Sequence, residues 1–114
     1  MILLKNREPK TLIVNSVFTS SYIKRTDTYY RLLKEEFDRL TTGLKKPFRV
    51  RLTFYRTHEE RWDFINLAQV VQDQMKKHGW VKDDSVQYLL CYPPTHEPFY
   101  KVDHINPGVL ITIL

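Results

Sequence analysis

The chain has little cysteine and little glycine: one Cys and three Gly among 114 residues. A lone cysteine, Cys91, allows no internal disulfide, and it predicts a protein of a reducing, cytoplasmic compartment. The three glycines are isolated, which excludes the Gly-rich loop that cradles phosphate in nucleotide-binding proteins. No run of about 18 apolar residues occurs, so we expect no membrane span. The short apolar start, Met-Ile-Leu-Leu, does not have the length of a signal peptide.

Motifs built on histidine and cysteine are also missing. None of the four histidines stands at zinc-ligand spacing from another histidine or from Cys91. Cys91 lies in an apolar stretch, and no flanking residues favour a nucleophile. We therefore expect neither a zinc site nor a cysteine nucleophile.

The composition predicts one folded domain, residues 1–114, because 42% of the residues are apolar and 13% are aromatic. The net charge is +5 and is unevenly distributed. Residues 1–61 carry 14 Lys and Arg against 7 Asp and Glu, whereas residues 62–114 carry 4 against 6. Such asymmetry suggests a nucleic-acid partner for the basic half. The alternative is an ordinary solvated basic surface.

The apolar periodicity predicts an α+β fold. We expect two layers (α/β), one a mixed sheet and the other formed by two main helices. The strand at 85–92 is apolar on both faces in its second half, so we expect it to be central. The predicted elements are short strands at 2–4 and 11–14, a helix from about 17 or 27 to 42, a strand at 48–56, a helix between Asp63 and Gly79, and strands at 85–92 and 109–114.

Strict alternation marks the strand at 48–56. Phe48, Val50, Leu52 and Phe54 share one face, and two arginines share the other with Thr53 and Tyr55. Arg49 and Arg51 on one face could bind successive phosphates, or the face could simply be solvated.

The second helix has clear start and stop signals. Asp63 stands where a helix N-cap is expected, and Gly79 stands where the chain leaves with a positive φ. On a 100° wheel the helix has one packing face and one polar face. The packing face holds Phe64, Leu67, Ala68, Val71 and Met75; the polar face holds Asn66, Gln69, Asp73 and Lys77.

A set of carboxylates accompanies this helix. Asp63 precedes it, Asp83 and Asp84 follow it, and Asn66 lies in its first turn. Their hard oxygen atoms suit Mg²⁺, which on a basic protein is a common arrangement for phosphodiester cleavage. The alternative is a helix cap and a solvated turn, and sequence spacing alone does not bring Asp83 and Asp84 to Asp63.

These residues resemble the RusA-type Holliday junction resolvases. The resemblance is carried by Asp63-Phe64-Ile65-Asn66-Leu67, by Asp73, by Gly79-Trp80-Val81-Lys82-Asp83-Asp84-Ser85 and by Asn106-Pro107-Gly108-Val109. The family pattern is an Asp-x-Asp-Asn-Leu opening, an aspartate inside the helix and a Gly-aromatic-x-x-Asp-Asp close.

The resemblance implies a homodimer that binds four-way DNA junctions and cuts them with Mg²⁺ or Mn²⁺. It implies catalytic roles for Asp63 and Asp84, and a metal site formed by Asp63, Asp84 and Asp83. Asn66, Asp73 and Gln69 then have supporting or structural roles. The basic residues that we expect at DNA are Arg49, Arg51, Arg56, Arg61 and Lys82.

Three features depart from the family pattern. Ile65 stands at the second motif aspartate, which removes one expected metal ligand. Gln69 stands at the catalytic lysine, and Lys82 is a candidate replacement. The chain also opens without the family's strand and loop, as a shortened homologue, a truncated product or a chain with a misassigned start would.

The expected function is a structure-selective endodeoxyribonuclease of DNA recombination and repair, of prophage origin. The alternative is a junction-binding homologue without cleavage, motivated by Ile65 and Gln69. A third alternative is a prophage remnant with neither function.

Overall fold

The computed structural model describes residues 10–15, 22–57, 63–83 and 87–114. These residues form the predicted α+β fold, a mixed five-stranded sheet with two helices. Neither helix combines the length and the apolar character needed to cross a bilayer. In chain order the elements are β1 (Lys10–Asn15), α1 (Tyr22–Leu40), β2 (Phe48–Arg56), α2 (Phe64–Lys77), β3 (Leu89–Tyr92), β4 (Tyr100–Val102) and β5 (Gly108–Ile113).

Strand β2 is paired along both of its edges. On one side it pairs antiparallel with β5, which in turn pairs antiparallel with β1. On the other side its first four residues pair parallel with β3, and its last three pair parallel with β4. The sheet order is therefore β1-β5-β2-β3, with β4 beside the far half of β2.

The alternation of β2 divides the sheet into two faces. Val50, Leu52 and Phe54 are buried, and in β5 Val109 and Ile111 are buried beside them. Both helices contribute their apolar side chains to this same cluster. The opposite face carries Arg49 and Arg51, as the sequence predicted, and no described helix packs on it.

Aromatic packing joins the helices to the start of β2. The ring of Phe37 in α1 lies 4.9 Å from Trp80 and 5.7 Å from Phe48, between ring centroids. Trp80 Nε1 donates a hydrogen bond to the backbone oxygen of Tyr30 at 2.7 Å, so its one polar atom is satisfied inside the core. The segment after α2 is thereby fixed against α1.

The predicted start and stop of α2 are correct in position. Gly79 has a φ of 77°, the left-handed conformation expected beyond the helix end. Asp63 occupies the N-cap position with extended backbone angles, but its side chain makes no capping hydrogen bond. The capping role predicted for the Asp63 carboxylate was therefore wrong, and this carboxylate is exposed.

Two strand predictions need correction. The strand expected at 85–92 spans Leu89–Tyr92 and lies at the sheet edge among the described strands, with β2 as its partner. Leu89 is buried in the core, whereas Leu90 and Cys91 are only partly covered and Tyr92 is exposed, so the prediction of a central strand was wrong. Strand β4 was not predicted, because its three residues are too short for a periodic signal. The strand predicted at 2–4 lies outside the described residues.

The aromatic cluster predicts a large effect of truncating Phe37. Phe37 is 0% exposed and contacts two other rings, so Phe37→Ala leaves a cavity that costs about 3–5 kcal/mol of unfolding free energy. Leu32→Ala on the same helix is the control, because Leu32 is 65% exposed and its loss changes stability by about 0.5 kcal/mol or less. Urea unfolding measures both variants. Equal losses would contradict this packing.

Candidate metal site and nucleic-acid interface

The two ends of α2 lie at opposite ends of β2. At the first end, Phe64 contacts Phe54 with ring centroids 6.2 Å apart, so its neighbour Asp63 lies near the last residues of β2. At the second end, Trp80 packs on Phe37, which contacts Phe48 at the start of β2. Helix α2 therefore runs antiparallel to β2, as a crossover between parallel strands requires.

Asp83 belongs to the second end of α2. Its Oδ1 atom lies 3.8 Å from Lys76 Nζ in the last turn of the helix. A helix of 14 residues is about 21 Å long, so its two ends cannot share one cation. Within one chain the structure does not bring Asp63 and Asp83 together, and Asp84 lies outside the described residues.

The described donors of one chain do not fit a divalent cation. Mg²⁺ requires oxygen ligands at about 2.0–2.1 Å in octahedral geometry. No group of three His, Cys, Asp or Glu side chains is close enough to hold a metal within the described ranges. A metal site formed by Asp63 and Asp83 would therefore require a second polypeptide chain.

The polar face of α2 presents the remaining motif residues to solvent. Asn66, Gln69 and Asp73 are all exposed, as predicted. Gln69 Nε2 donates to Asp73 Oδ1 at 2.8 Å across one helical turn. Ile65, where the resemblance led us to expect an aspartate, is 77% exposed. Asp73 thus takes part in a helix-surface hydrogen bond about 15 Å along the axis from Asp63.

The basic residues expected at DNA fall on different surfaces. Arg49 and Arg51 lie on the sheet face away from the helices, whereas Arg56 shares the alternation of Phe54 on the helix side. Lys82 is exposed beyond α2. Arg61 lies outside the described residues.

We call the sheet face away from the helices the open sheet face. Most of its residues are exposed or half-buried; the exceptions are Thr53 and Gly108. The residues that strand pairing assigns to it are Thr11, Ile13, Arg49, Arg51, Thr53, Tyr55, Leu90, Tyr92, Lys101, Gly108, Leu110 and Thr112.

The charge of the sheet is of one sign. Its described strands contain no Asp or Glu, and their cationic residues are Lys10, Arg49, Arg51, Arg56 and Lys101. Three of these, Arg49, Arg51 and Lys101, belong to the open sheet face. Lys101 Nζ lies 5.7 Å from the ring centroid of Tyr55 and 3.2 Å from Glu97 Oε2. Arg49 and Arg51 have no carboxylate among the residues of the described strands, and a guanidinium group of this kind is suited to binding phosphate.

Two of the cavities that described residues line open on this face. One, of about 420 Å³, lies where β3 ends, and the other, of about 410 Å³, lies towards the start of β5. The first is lined by Arg49, Arg51, Tyr92, Pro93, Pro94, Thr95 and Leu114, and the second by Ile13, Tyr55, Asp103, Asn106 and Leu110.

Sequence reasoning had placed both arginines correctly but missed Tyr92 and the two prolines. Tyr92 lies beside the arginines because β2 and β3 pair in a register that sets Arg51 opposite Tyr92. The spacing of the two segments in the sequence does not predict this register.

Cys91 is unsuited to act as a nucleophile, as the sequence suggested. Burial raises the pKa of its thiol, and a hydrogen bond with Gln72 only partly offsets this effect. The thiolate that nucleophilic catalysis requires is therefore disfavoured at neutral pH.

Asp103, which lines the second cavity, closes a tight turn. Its Oδ1 atom accepts hydrogen bonds from the backbone N–H groups of Asn106 and Ile105, each at 2.9 Å. These two bonds lower the pKa of Asp103 below its ordinary value. The exposed carboxylate therefore has a structural partner in its own loop.

Comparison of the chain with protein-family models, curated proteins and solved structures gave no match.

The turn at Asp103 predicts a pH-dependent contribution to stability. A lowered folded-state pKa means that the carboxylate stabilises the fold above its unfolded pKa of about 3.9, and that this contribution is lost as pH falls through the folded value. We expect Asp103→Ala to lower Tm at pH 7, with a difference from wild type that shrinks below about pH 4. Asp103→Asn keeps an acceptor oxygen and should lose less. A Tm difference that stays constant down to pH 2 would contradict the assignment.

Proposed function

We propose that this protein is a cytoplasmic, homodimeric, RusA-like endodeoxyribonuclease, dependent on Mg²⁺ or Mn²⁺. Its substrate is the four-way DNA junction, which it resolves in recombination and repair, and its origin is a prophage. The observation that carries the proposal is the open sheet face, where Arg49 and Arg51 stand on a sheet whose described strands contain no carboxylate. The motif around Asp63 and Asp84 supports the choice of substrate and reaction.

The charge distribution favours DNA over a small anionic ligand. The two arginines are separated by one residue on an extended strand, so their side chains leave the same face about 6.6 Å apart. This spacing is close to the distance between successive phosphates of a nucleic-acid strand. Phosphate contacts of this kind supply affinity without sequence preference, as expected for a protein that recognises the shape of its substrate.

The proposed cleavage requires two copies of the chain. A divalent cation would supply a Lewis acid at the phosphate. Asp63 and Asp83 stand at opposite ends of α2, so one chain alone does not provide both. A two-fold axis that sets two α2 helices antiparallel would bring Asp63 of one copy beside Asp83 of the other, and Asp84 is the next residue of the chain. We therefore propose a site completed across the dimer, which also provides one site for each of two cuts.

The second candidate is a junction-binding homologue without cleavage. Three observations favour it: Ile65 exposes an apolar side chain where the family has a ligand, Gln69 bonds to Asp73 instead of carrying a charge, and the described carboxylates of one chain are apart. Both candidates bind the same DNA, so cleavage distinguishes them.

A nicking assay distinguishes the two candidates. A synthetic four-way junction and a linear duplex of the same sequence are incubated with Mg²⁺, Mn²⁺ or EDTA. For the nuclease we expect paired cuts in the junction alone, only with metal.

Asp63→Asn and Asp84→Asn should abolish cleavage and preserve binding, because each removes a negative charge near phosphate. Glu35→Gln on α1 is the matched control and should cut like wild type. A junction that is bound in EDTA but uncut with metal selects the second candidate, and absence of binding contradicts both.

Mixing two inactive variants tests the shared site. In a mixed dimer of Asp63→Asn and Asp84→Asn chains, one site carries both substitutions and the other carries neither. Random exchange of equal amounts should restore nicking to about a quarter of the wild-type rate, since half of the dimers then hold one intact site of two. Mn²⁺ binding, followed by electron paramagnetic resonance without DNA, should reappear in parallel. If each chain holds a complete site, mixing restores neither signal.

A further inference from the structure

The cavity at the end of β3 combines cationic and flat apolar walls. Arg51 and Tyr92 are direct partners in the parallel pairing of β2 and β3, so both side chains leave the open sheet face side by side. Arg49 precedes this pair on β2, and Pro93 and Pro94 continue from Tyr92. The volume of about 420 Å³ lies within the range of small-ligand sites, about 300–1,000 Å³.

The cavity has the charge of an anion site. None of the described residues that line it has an acidic side chain. Among the described residues, no hydrogen bond or ion pair engages the side chain of Arg49 or Arg51. The nearest acidic residue along the chain, Glu97, is paired with Lys101 at 3.2 Å. Two guanidinium groups are therefore available to the same ligand, and the planar fork of arginine matches phosphate oxygens.

The apolar residues that line the cavity offer a flat surface on which a nucleobase can stack. Tyr92 is 37% exposed, which is high for an aromatic side chain in a strand, and Pro93 beside it is exposed too. An aromatic face next to arginine is the combination that binds unpaired nucleotides, with the base stacked on the ring and its phosphate on the cation. A base inside a duplex is stacked on both sides and cannot reach such a wall. The walls therefore favour an unpaired strand over a duplex.

A second copy of the chain is a poorer occupant. In a two-fold pairing through this face, Arg49 and Arg51 of one copy would approach the same arginines of the other, and no carboxylate of the strands would compensate. A polyanion removes this repulsion.

We propose that this cavity binds one nucleotide of an unpaired DNA strand, with Tyr92 stacking on the base and with Arg49 and Arg51 binding its phosphates. The inference deepens the proposed function, since it names the part of a branched DNA that this face contacts. It depends on DNA binding and is independent of cleavage, so it can fail while the nuclease assignment holds.

The test is binding of a labelled 15-nucleotide oligothymidine and of a linear 15-base-pair duplex, measured by fluorescence anisotropy in EDTA. Tyr92→Leu should weaken oligothymidine binding about 5-fold to 100-fold, the range for one lost stacked base, and should leave duplex binding within about twofold. Tyr92→Phe keeps the ring and should bind like wild type. Arg51→Gln should weaken binding and reduce its salt dependence, whereas Arg31→Gln, at an exposed position of α1, should change both less.

Tm measurements show whether each variant is folded, and Tyr92→Phe guards against a merely structural effect. The proposal is overturned if wild type does not bind oligothymidine, or if Tyr92→Leu changes oligothymidine and duplex binding equally. It is also overturned if sedimentation shows a wild-type dimer that Arg49→Glu dissociates, because the face would then be covered by a second copy. Junction nicking that persists in Tyr92→Leu would leave the proposed function standing in each case.

Discussion

The structure depends on the alternation of β2. This strand is the only described strand that pairs with three others, so its backbone orientation is fixed along its whole length. Because successive side chains of a strand point to opposite faces, burying Val50, Leu52 and Phe54 under the helices forces Arg49 and Arg51 to the other face. A slip of one residue would bury two arginines in an apolar core, at a cost that the fold could not offset. The register that packs the core therefore also determines that Arg49 and Arg51 lie on the open sheet face.

Much of this arrangement follows from the sequence. The alternation at 48–56 and the apolar face of α2 are local periodic signals, and Gly79 marks the end of α2 because a positive φ suits glycine. Other features depend on long-range pairing. The partnership of Arg51 with Tyr92 is a matter of register, and the edge position of β3 depends on which strands pair with β2. The hydrogen bond from Trp80 to the backbone of Tyr30 joins residues 50 positions apart, which no local pattern predicts.

In the candidate site, too, some features follow from local sequence and others depend on the three-dimensional structure. The sequence identified the carboxylates and the helix between them, and their separation follows once that helix is known to be 14 residues long. Asp63 and Asp83, which look like parts of one motif in the printed chain, then lie at the two ends of α2. In the proposed dimer, a two-fold axis perpendicular to α2 would place unlike ends of the two helices together. The open sheet face and the α2 ends thus have different proposed tasks: the face holds DNA strands, and the helix ends hold the chemistry.

We propose that DNA lies on the open sheet face. Backbone amide resonances of ¹⁵N-labelled protein, followed during titration with a four-way junction in EDTA, test it directly without requiring cleavage. The largest changes are expected at Arg51, Thr53, Tyr92 and Thr112, with small changes at Leu32 and Arg39 on the outer surface of α1. Changes confined to α1, with β2 and β3 unaffected, would contradict the claim and place the DNA on the helical side of the protein.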